Sequence, residues 1–310
     1  MEEKIEIMNL LQSKQILEHE LKSISYGAVE IRENNSNKYI YVHYREDGVA
    51  LTKYVGEYSD ELYNLVLNNS IKAKQLKKQI REITRKLKQF NYIEKELSEK
   101  VQQNIDFAKR HLVDTIYKQA ILEGIATTFA DTESIIEGGK VNNMTSEDIL
   151  KIVNLKHAWE FILNKNVILS NTNFALLCET NKMVEERFYY TAGKVRNTPV
   201  TIGGTTWKPD LPIESVIKEE LEEIFNKELN DIDRAIELLL YIMKKQIFID
   251  GNKRTAVIYS NHYLISKGKG IIVIPAELTQ KFKDLLIPYY EGKDENRIKE
   301  FIKEKCYMSI

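Results

Sequence analysis

The spacing of hydrophobic and polar positions changes its period along the chain. In residues 26–56 apolar and polar positions alternate, as where Ile40 lies between Tyr39 and Tyr41, and this period of two is typical of β-strands. The alternation predicts an antiparallel meander with strands over 28–31, 38–45 and 50–55. One face of this sheet would be aromatic, and it either stacks nucleic-acid bases or is covered by a helix predicted over 1–22.

A helical period begins near residue 59 and continues to about residue 111, with apolar side chains every three or four positions. The repeat is interrupted at Phe90, Asn91 and Tyr92, which predicts either two helices in a hairpin or one long helix. The cations before this break are Lys72, Lys74, Lys77, Lys78, Arg81, Arg85, Lys86 and Lys88. Three interpretations of this basic arm stay open: a solvated or internally paired face, an arm for homodimerisation, and a face that binds nucleic acid through its phosphates.

The chain after about residue 116 is predicted to be mainly helical. Helices are expected over 147–164, 231–246 and 254–266. The segment 187–212 instead has the Gly, Pro and β-branched residues of a loop that contains a short hairpin. The sequence therefore predicts a mainly α protein in three parts: an N-terminal helix with the small β module (1–60), a basic helical arm (61–115) and a helical domain (116–310).

Composition and charge limit the classes of function. The 310 residues contain 45 Lys and Arg against 46 Asp and Glu, so the net charge of −1 gives no overall attraction to nucleic acid or membranes. Cys178 and Cys306 are too few for a disulfide framework or a zinc site, and they favour a reducing, cytoplasmic setting. No apolar run reaches the roughly 18 residues that span a bilayer, so no membrane association is expected.

The segment from Gln246 to Ala256 reads Q-I-F-I-D-G-N-K-R-T-A. Within it a carboxylate, a glycine, an amide and two cations follow one another directly. Its glycine allows an anion to approach the backbone closely, and the amides at the start of the following helix point towards such an anion. Lys253 and Arg254 add positive charge for a polyphosphate, and Asp250 offers the oxygen ligand that a phosphate-bound Mg²⁺ accepts. The residues by themselves therefore predict a nucleotide or phosphate site.

This segment resembles the signature H-x-F-x-D/E-G-N-G/K-R of the Fic/Doc (Fido) family. The matching residues are Phe248, Asp250, Gly251, Asn252 and Arg254. The resemblance implies a Fic helical fold with a short β-hairpin flap, ATP and Mg²⁺ as cofactors, and transfer of AMP to a hydroxyl of a target protein. In the Doc branch of the family phosphate is transferred instead.

The resemblance also assigns roles to individual residues. It implies that the nucleotide is bound by Phe248, Gly251, Asn252, Lys253 and Arg254. It implies that Asp250 holds the metal, and that the catalytic positions are Gln246, Asp250, Asn252 and Arg254.

Gln246 stands where the family has its general-base histidine, and an amide has no useful pKa for accepting a proton. His157 and His262 lie on other predicted helices and are not well placed to replace it. Loss of a positioned base typically lowers the rate by about 10²–10⁴-fold, which leaves measurable chemistry if the phosphates are still positioned. Lys253 replaces the second glycine of the signature, as in Doc-like members.

Two further segments resemble Fic elements. Residues 191–196 lead into the stretch that resembles the target-binding flap, which consists of Val200, Thr201, Ile202, Gly203 and Gly204. In relatives the backbone of the flap pairs with an extended stretch of the target protein. Glu137 resembles the autoinhibitory glutamate of the family, but the arginine that would receive it is Val257 here. Glu137 is therefore an inhibitory relic, a helix-end residue or part of a changed active site.

Three functions are compatible with the sequence. The leading one is a Fic-like transferase that moves AMP, or another phosphate-containing group, to a protein hydroxyl. The second is a pseudoenzyme that binds a nucleotide or a partner without turnover, and the third is a Doc-like protein kinase.

Overall fold

The strands and helices of the folded chain follow the two hydrophobic periods of the sequence, two residues in the strands and three to four in the helices. The structure, a computed structural model, describes residues 2–34, 37–46, 49–90, 97–142 and 144–310. The chain divides into one unit at Met1–Lys95 and another at Glu96–Ile310. Helices dominate and two small antiparallel sheets accompany them, so the predicted fold class is confirmed.

The first unit contains the predicted meander. Its elements are α1 (Glu2–Ser23), β1 (Ala28–Asn34), β2 (Asn37–Glu46), β3 (Val49–Glu57) and α2 (Asp60–Gln89). The strands form an antiparallel sheet in the order β1-β2-β3, which confirms the meander with slightly longer strands. Ile40 and Val42 on the inner face are buried against Val66 of α2, as the alternation of apolar residues requires.

The outer face of this sheet is aromatic and open. Tyr41 lies opposite Tyr54 across β2 and β3, with ring centroids 5.4 Å apart, and the guanidinium of Arg32 lies 4.5 Å from the ring centroid of Tyr41. Tyr54 is 53% exposed, and a cleft of about 520 Å³ lies over this face. Because α1 packs along α2 instead, the predicted cover of the aromatic face by the N-terminal helix is wrong.

α2 ends where the apolar repeat is interrupted, with Phe90 as its C-cap. Asn91 and Tyr92 lie outside the described residues. The next helix, α3 (Glu99–Arg110), begins after Ser98, whose side chain caps it. The predicted break is therefore confirmed, and one helix running through Phe90 is excluded. α2 belongs to the first unit and α3 to the second.

The second unit is built almost entirely from helices. After α3 come α4 (Leu112–Glu123), α5 (Phe129–Ile136), α6 (Ser146–Ile162), α7 (Lys165–Ile168), α8 (Phe174–Val184), α9 (Glu214–Asn226), α10 (Asp231–Lys245), α11 (Asn252–Ser266), β4 (Ile271–Ile272), a 3₁₀ turn (Ala276–Leu278), α12 (Thr279–Tyr290), α13 (Asn296–Lys305) and β5 (Tyr307–Met308). β4 and β5 pair antiparallel. The three helices predicted in this region are confirmed as α6, α10 and α11, with ends that differ by at most two residues.

α11 is the central helix of the second unit. Its neighbours are α3, α4, α6, α7, α8, α10 and β4. Ala256, Tyr259 and Leu264 are fully buried, which confirms them as core residues. α10 is apolar on its inner side as well, and Leu239 and Ile242 are fully buried. The loop 246–251, which contains the first part of the motif, therefore connects two helices that are packed in the hydrophobic core.

The connection between α8 and α9 contains turns and bends but no strand. The short hairpin predicted over 187–212 is therefore absent, and this stretch is an irregular loop. Pro199 and Pro209 lie on either side of residues 200–208, and neither can donate a backbone hydrogen bond to a partner strand.

None of the helices in the described part of the chain combines the length and the apolar character that crossing a bilayer requires.

Candidate phosphate-binding site

The loop 246–251 joins α10 to α11 through two left-handed backbone positions. Gln246 follows α10 with φ 48° and ψ 61°, a region that a residue with a Cβ seldom adopts. Ile247 and Phe248 are then buried in the core, and Gly251 again has a positive φ of 73°. These two reversals of the chain place the start of α11 directly beside the end of α10.

The side chain of Gln246 is bonded at both ends inside the loop. Its Nε2 donates to the carbonyl of Met243 at 2.6 Å, and its Oε1 accepts from Nδ2 of Asn252 at 3.2 Å. Asn252 also donates to the carbonyl of Phe248 at 2.8 Å and accepts the Phe248 N–H at 2.9 Å. Gln246 therefore holds the loop together, and its amide supplies no base.

The N-terminus of α11 faces the loop with glycine as its cap. No side chain caps this end, and the N–H of Gly251 donates to Oδ1 of Asp250 at 2.7 Å. The N–H groups of a first helical turn have no acceptor within the helix, and the helix dipole makes this end positive. Asn181 of α8 fixes the geometry, because its Nδ2 donates to the Asp250 carbonyl at 3.0 Å and lies 3.1 Å from Oγ1 of Thr255. Such a helix end is suited to an anion.

Arg254 extends from this first turn and is 2% exposed. The carboxylates around its guanidinium are those of Glu185 at 2.9 Å, Asp250 at 3.4 Å and Glu123 at 3.5 Å. Lys253 lies 3.6 Å from the Glu123 carboxylate. The two cations that the sequence assigned to a polyphosphate are thus paired with acidic side chains of the same chain.

Glu185 lies against the loop itself. It is the C-cap of α8 and 1% exposed, and its carboxylate is so close to Gly251 that a Cβ at that position would collide with it. Burial raises the pKa of Glu185 from 4.5 to about 7, against the lowering effect of Arg254. An acidic group that is paired with arginine beside a helix N-terminus has the surroundings of a bound anion.

Glu185 and Glu123 could not be recognised as site residues from the sequence. Both lie near the C-terminal ends of helices, and neither belongs to a spacing pattern that separates it from the other acidic residues. Asn181 was missed for the same reason. Their association with the motif arises because α4 and α8 both pack against α11.

Comparison with known proteins connects this geometry with a family. Residues 171–264 match the model of the Fic/DOC family, and this stretch includes α8, Glu185, the loop and Arg254. These residues form a Fic/DOC-family domain. The family expected from the motif is therefore confirmed for this part of the chain.

Solved Fic structures share the fold. Fic-1 (residues 134–508) from C. elegans matches with a TM-score of 0.53 and 18% identity, over 79% of this chain and 77% of that chain. A Fic-domain-containing signalling protein from Bacteroides thetaiotaomicron matches with a TM-score of 0.54 and 19% identity, over 67% and 85% of the two chains. A Fic family protein from Desulfovibrio desulfuricans matches with a TM-score of 0.53 and 12% identity, over 67% and 72%. No curated protein matches the sequence.

The segment predicted to be the flap of the Fic domain is anchored at both ends. Arg196 is 3% exposed, and its Nε donates to the carbonyl of Gln246 at 2.5 Å. Its Nη1 donates to the carbonyl of Thr198 at 2.8 Å, and its Nη2 donates to the carbonyl of Asp210 at 2.7 Å. At the other end of the segment, the hydroxyl of Thr205 donates to the carboxylate of Glu291, the C-cap of α12, at 2.7 Å. Arg196 thus ties the predicted flap directly to the motif loop.

The predicted flap residues lie between these anchors. They are Val200, Thr201, Ile202, Gly203 and Gly204. Thr201, Gly203 and Gly204 are exposed, whereas Ile202 packs against the core. Within the described chain no N–H group of this stretch donates a hydrogen bond. These backbone donors are therefore free to pair with another chain.

Glu137 lies apart from the cations of the loop. It is exposed at the C-cap of α5, and Val257, at the position of the usual partner arginine, is 2% exposed in the core. Arg254 is paired with Glu123 and Glu185 instead. Three interpretations of Glu137 were compatible with the sequence, and its position at the C-cap of α5 corresponds to the helix-end residue.

His262 is a core residue of α11. Its Nε2 lies 2.8 Å from the carbonyl of Val167, and its Nδ1 lies 2.9 Å from Oγ1 of Thr172. Burial lowers the pKa of His262 to about 4, so the ring is neutral at physiological pH. Both ring nitrogens are used within the core, and His262 does not replace the missing base.

Proposed function

We propose that the Fic domain binds the polyphosphate of ATP, or of a related nucleotide, at the N-terminus of α11. We further propose that it transfers a phosphate-containing group, AMP in the leading case, to a hydroxyl of a target protein. The observation that carries the proposal is the position of buried Arg254 beside Gly251 at a helix N-terminus that no side chain caps.

The carboxylate already present at this position supports phosphate binding. Glu185 places a carboxylate oxygen 2.9 Å from Nη2 of Arg254, but Nε and Nη1 of Arg254 are buried without a hydrogen-bond partner among the described residues. The oxygens of a phosphate group could accept from these N–H groups. A phosphate that reaches Arg254 must displace Glu185 or encounter it in the protonated form. Binding of the nucleotide is therefore coupled to the state of Glu185.

Asp250 is the residue that would hold Mg²⁺. Its side chain is 46% exposed, and one of its oxygens accepts the N–H of Gly251. Among the described residues no group of three His, Cys, Asp or Glu side chains forms a metal cage. Asp250 would hold the ion through its carboxylate, since Mg²⁺ sites commonly use one or two carboxylates together with substrate phosphates. The bound ion would neutralise charge on the phosphates.

The acceptor would be positioned by the free N–H groups of residues 200–204. An extended target segment that pairs with them is held beside the motif loop, because Arg196 joins the two. The hydroxyl oxygen of the target then attacks the α-phosphorus, and the bond to the leaving pyrophosphate breaks. The hydroxyl proton goes to solvent, because Gln246 cannot accept it.

A second candidate is nucleotide binding without turnover. It is favoured by one observation, namely that the Gln246 amide is bonded to Met243 and Asn252 and is not directed at an acceptor. A third is the Doc-like kinase reaction, in which the hydroxyl attacks the γ-phosphorus and ADP leaves. Lys253 in place of the second glycine supports this third candidate.

Calorimetric titration with ATP and Mg²⁺ tests the proposed binding site. We expect wild-type protein and the control Lys182→Ala to bind, since Lys182 is an exposed cation of α8 outside the loop. Arg254→Gln and Lys253→Ala should bind at least tenfold more weakly. Lys253 is 31% exposed, so its variant tests the site even if the substitution of buried Arg254 disturbs folding. Absence of binding by the wild type would exclude the transferase.

Radiolabelled ATP distinguishes the candidate reactions once binding is established. Protein label from α-³²P-ATP indicates AMP transfer, and label from γ-³²P-ATP alone indicates kinase chemistry. If the protein binds ATP but neither label is transferred, the second candidate, nucleotide binding without turnover, is favoured.

A further inference from the structure

α2 carries a line of cations on one exposed side, here called the basic stripe. Its members are Lys74, Lys78, Arg81, Arg85 and Lys88. They recur at intervals of four and three residues, so they stay within about 80° of arc and extend over about 21 Å of helix. All are exposed, whereas the buried residues of this half of α2 are Ala73, Leu76 and Leu87. The basic arm of the sequence is therefore a narrow stripe and not a diffuse charge.

None of the members of the basic stripe forms an ion pair within the described part of the chain. Other cations of α2 do have partners: Lys72 lies 2.6 Å from Glu20, and Lys77 lies 4.5 Å over the ring of Tyr26. Glu82 lies four residues after Lys78 and three before Arg85, at the edge of the stripe, and it forms no ion pair within the described residues. Like charges three and four residues apart repel each other, so an external anion would stabilise this surface.

We propose that the basic stripe binds the phosphate backbone of a nucleic-acid duplex. Successive cations of the stripe are separated by a rise of about 4.5–6 Å along the helix axis, so several of them can contact neighbouring backbone phosphates at once. The stripe contains no aromatic residue, so it offers phosphate contacts without base stacking. The partner is therefore recognised by charge and not by base sequence.

A membrane surface fits this helix less well. Helices that lie on a bilayer place their apolar residues in the lipid beside the cations. In the half of α2 that carries the stripe, Leu76 and Leu87 are buried and Ile80 and Ile83 are half-buried in the protein. The exposed apolar residues of α2 are Leu65, Leu67 and Ile71, and all three precede Lys74, so the cations have no exposed apolar surface between them to insert. This proposal is independent of the function proposed for the Fic domain.

Fluorescence anisotropy with a labelled 20-base-pair duplex of arbitrary sequence tests the proposal on the 310-residue chain. Four to five phosphate contacts predict that affinity falls roughly 100- to 500-fold between 50 and 200 mM salt. The test variant is Lys78→Gln/Arg85→Gln, in the middle of the stripe. The control is Lys72→Gln/Lys86→Gln, which removes the same charge from a different side of the same helix.

The two double variants separate the stripe from overall charge. We expect the stripe variant to bind the duplex at least tenfold more weakly and to show a shallower salt dependence, and the control to stay within threefold of the wild type. Equal losses in both variants, absence of duplex binding at 50 mM salt, or salt-independent binding would each overturn the proposal. Binding to phosphatidylserine vesicles in place of the duplex would overturn it as well.

Discussion

The carboxylate of Glu185 packs against Gly251 at the N-terminus of α11, where any side chain on residue 251 would collide with it. The same carboxylate lies 2.9 Å from Arg254. The chain thus places its own anion at a helix end that is suited to binding one. Because burial raises the pKa of Glu185 to about 7, the charge of this anion changes near physiological pH.

Nucleotide binding should depend on pH through Glu185. Protonation removes the charge that competes for Arg254, so binding of ATP with Mg²⁺ should be stronger at pH 6 than at pH 8. With a pKa of about 7 the protonated fraction changes about tenfold between these values, which sets the largest expected change in affinity. Calorimetry at the two pH values measures this difference.

Glu185→Gln should remove that dependence and bind ATP at pH 8 with up to about tenfold higher affinity than the wild type. Glu186→Gln is the matched control, because Glu186 is the exposed neighbour of Glu185 and should behave as the wild type. An unchanged pH profile in Glu185→Gln would show that the titrating group lies in the nucleotide or elsewhere in the protein.

Gln246→His should restore a general base to the motif loop. If only the base is missing, labelling of a target protein from ³²P-ATP should rise by roughly 10²–10⁴-fold, while the affinity for ATP stays unchanged. Gln246→Ala provides the comparison, since it loses the same loop hydrogen bonds without gaining a base. Unchanged labelling by a histidine variant that still binds ATP would favour the nucleotide-binding role without turnover.

Gly251→Ala should lower both stability and ATP affinity. The added Cβ meets the Glu185 carboxylate and also forces a side chain onto a φ of 73°. A non-glycine residue in that region costs on the order of 1–3 kcal/mol of stability before the collision is counted. Chemical unfolding measures the loss of stability, and calorimetry measures the binding.

Two glycine controls separate the causes. Gly138→Ala places a Cβ on a residue with a φ of 81°, and nothing lies within 4 Å of that Cβ. This variant should therefore show only the loss of stability that backbone strain causes. Gly203→Ala has neither feature and should be close to neutral. A stability loss in Gly251→Ala no larger than that in Gly138→Ala would argue against a rigid Glu185 contact.

His262 should make the Fic domain sensitive to acid. Its pKa is about 4 in the folded protein and 6.5 in the unfolded chain, so its contribution to stability is complete above pH 6.5 and is lost as the pH falls towards 4. The loss amounts to roughly 2–3 kcal/mol between pH 7.5 and 4.5, since each pKa unit corresponds to about 1.36 kcal/mol.

Urea unfolding of His262→Gln at both pH values isolates this contribution. The variant should be less stable than the wild type at pH 7.5, because it disturbs the hydrogen bonds to Val167 and Thr172. Its stability should nevertheless fall less on acidification, and other titrating groups cancel in the comparison. A parallel pH dependence of the two proteins would contradict a neutral, buried His262.

The sequence by itself determined the helical class, the meander and the motif. Ile40 and Val42 were predicted on one face of a strand because the period of two is a local property, and they are buried there. The ends of α10 and α11 were predicted within two residues, since Gly251 and the apolar repeats on either side are local signals as well. The motif residues stand together at one helix end because they are contiguous in the chain.

Only the tertiary structure decided what surrounds that motif. The positions of Glu123 and Glu185 beside Arg254 depend on how α4 and α8 pack against α11, and nothing in the local sequence encodes a contact across such a separation. The inward hydrogen bonds of Gln246 and the absence of strands in the predicted flap are likewise results of packing and of loop geometry. Periodicity determines which face of an element is buried, whereas the partners of a charge are set by which elements meet in space.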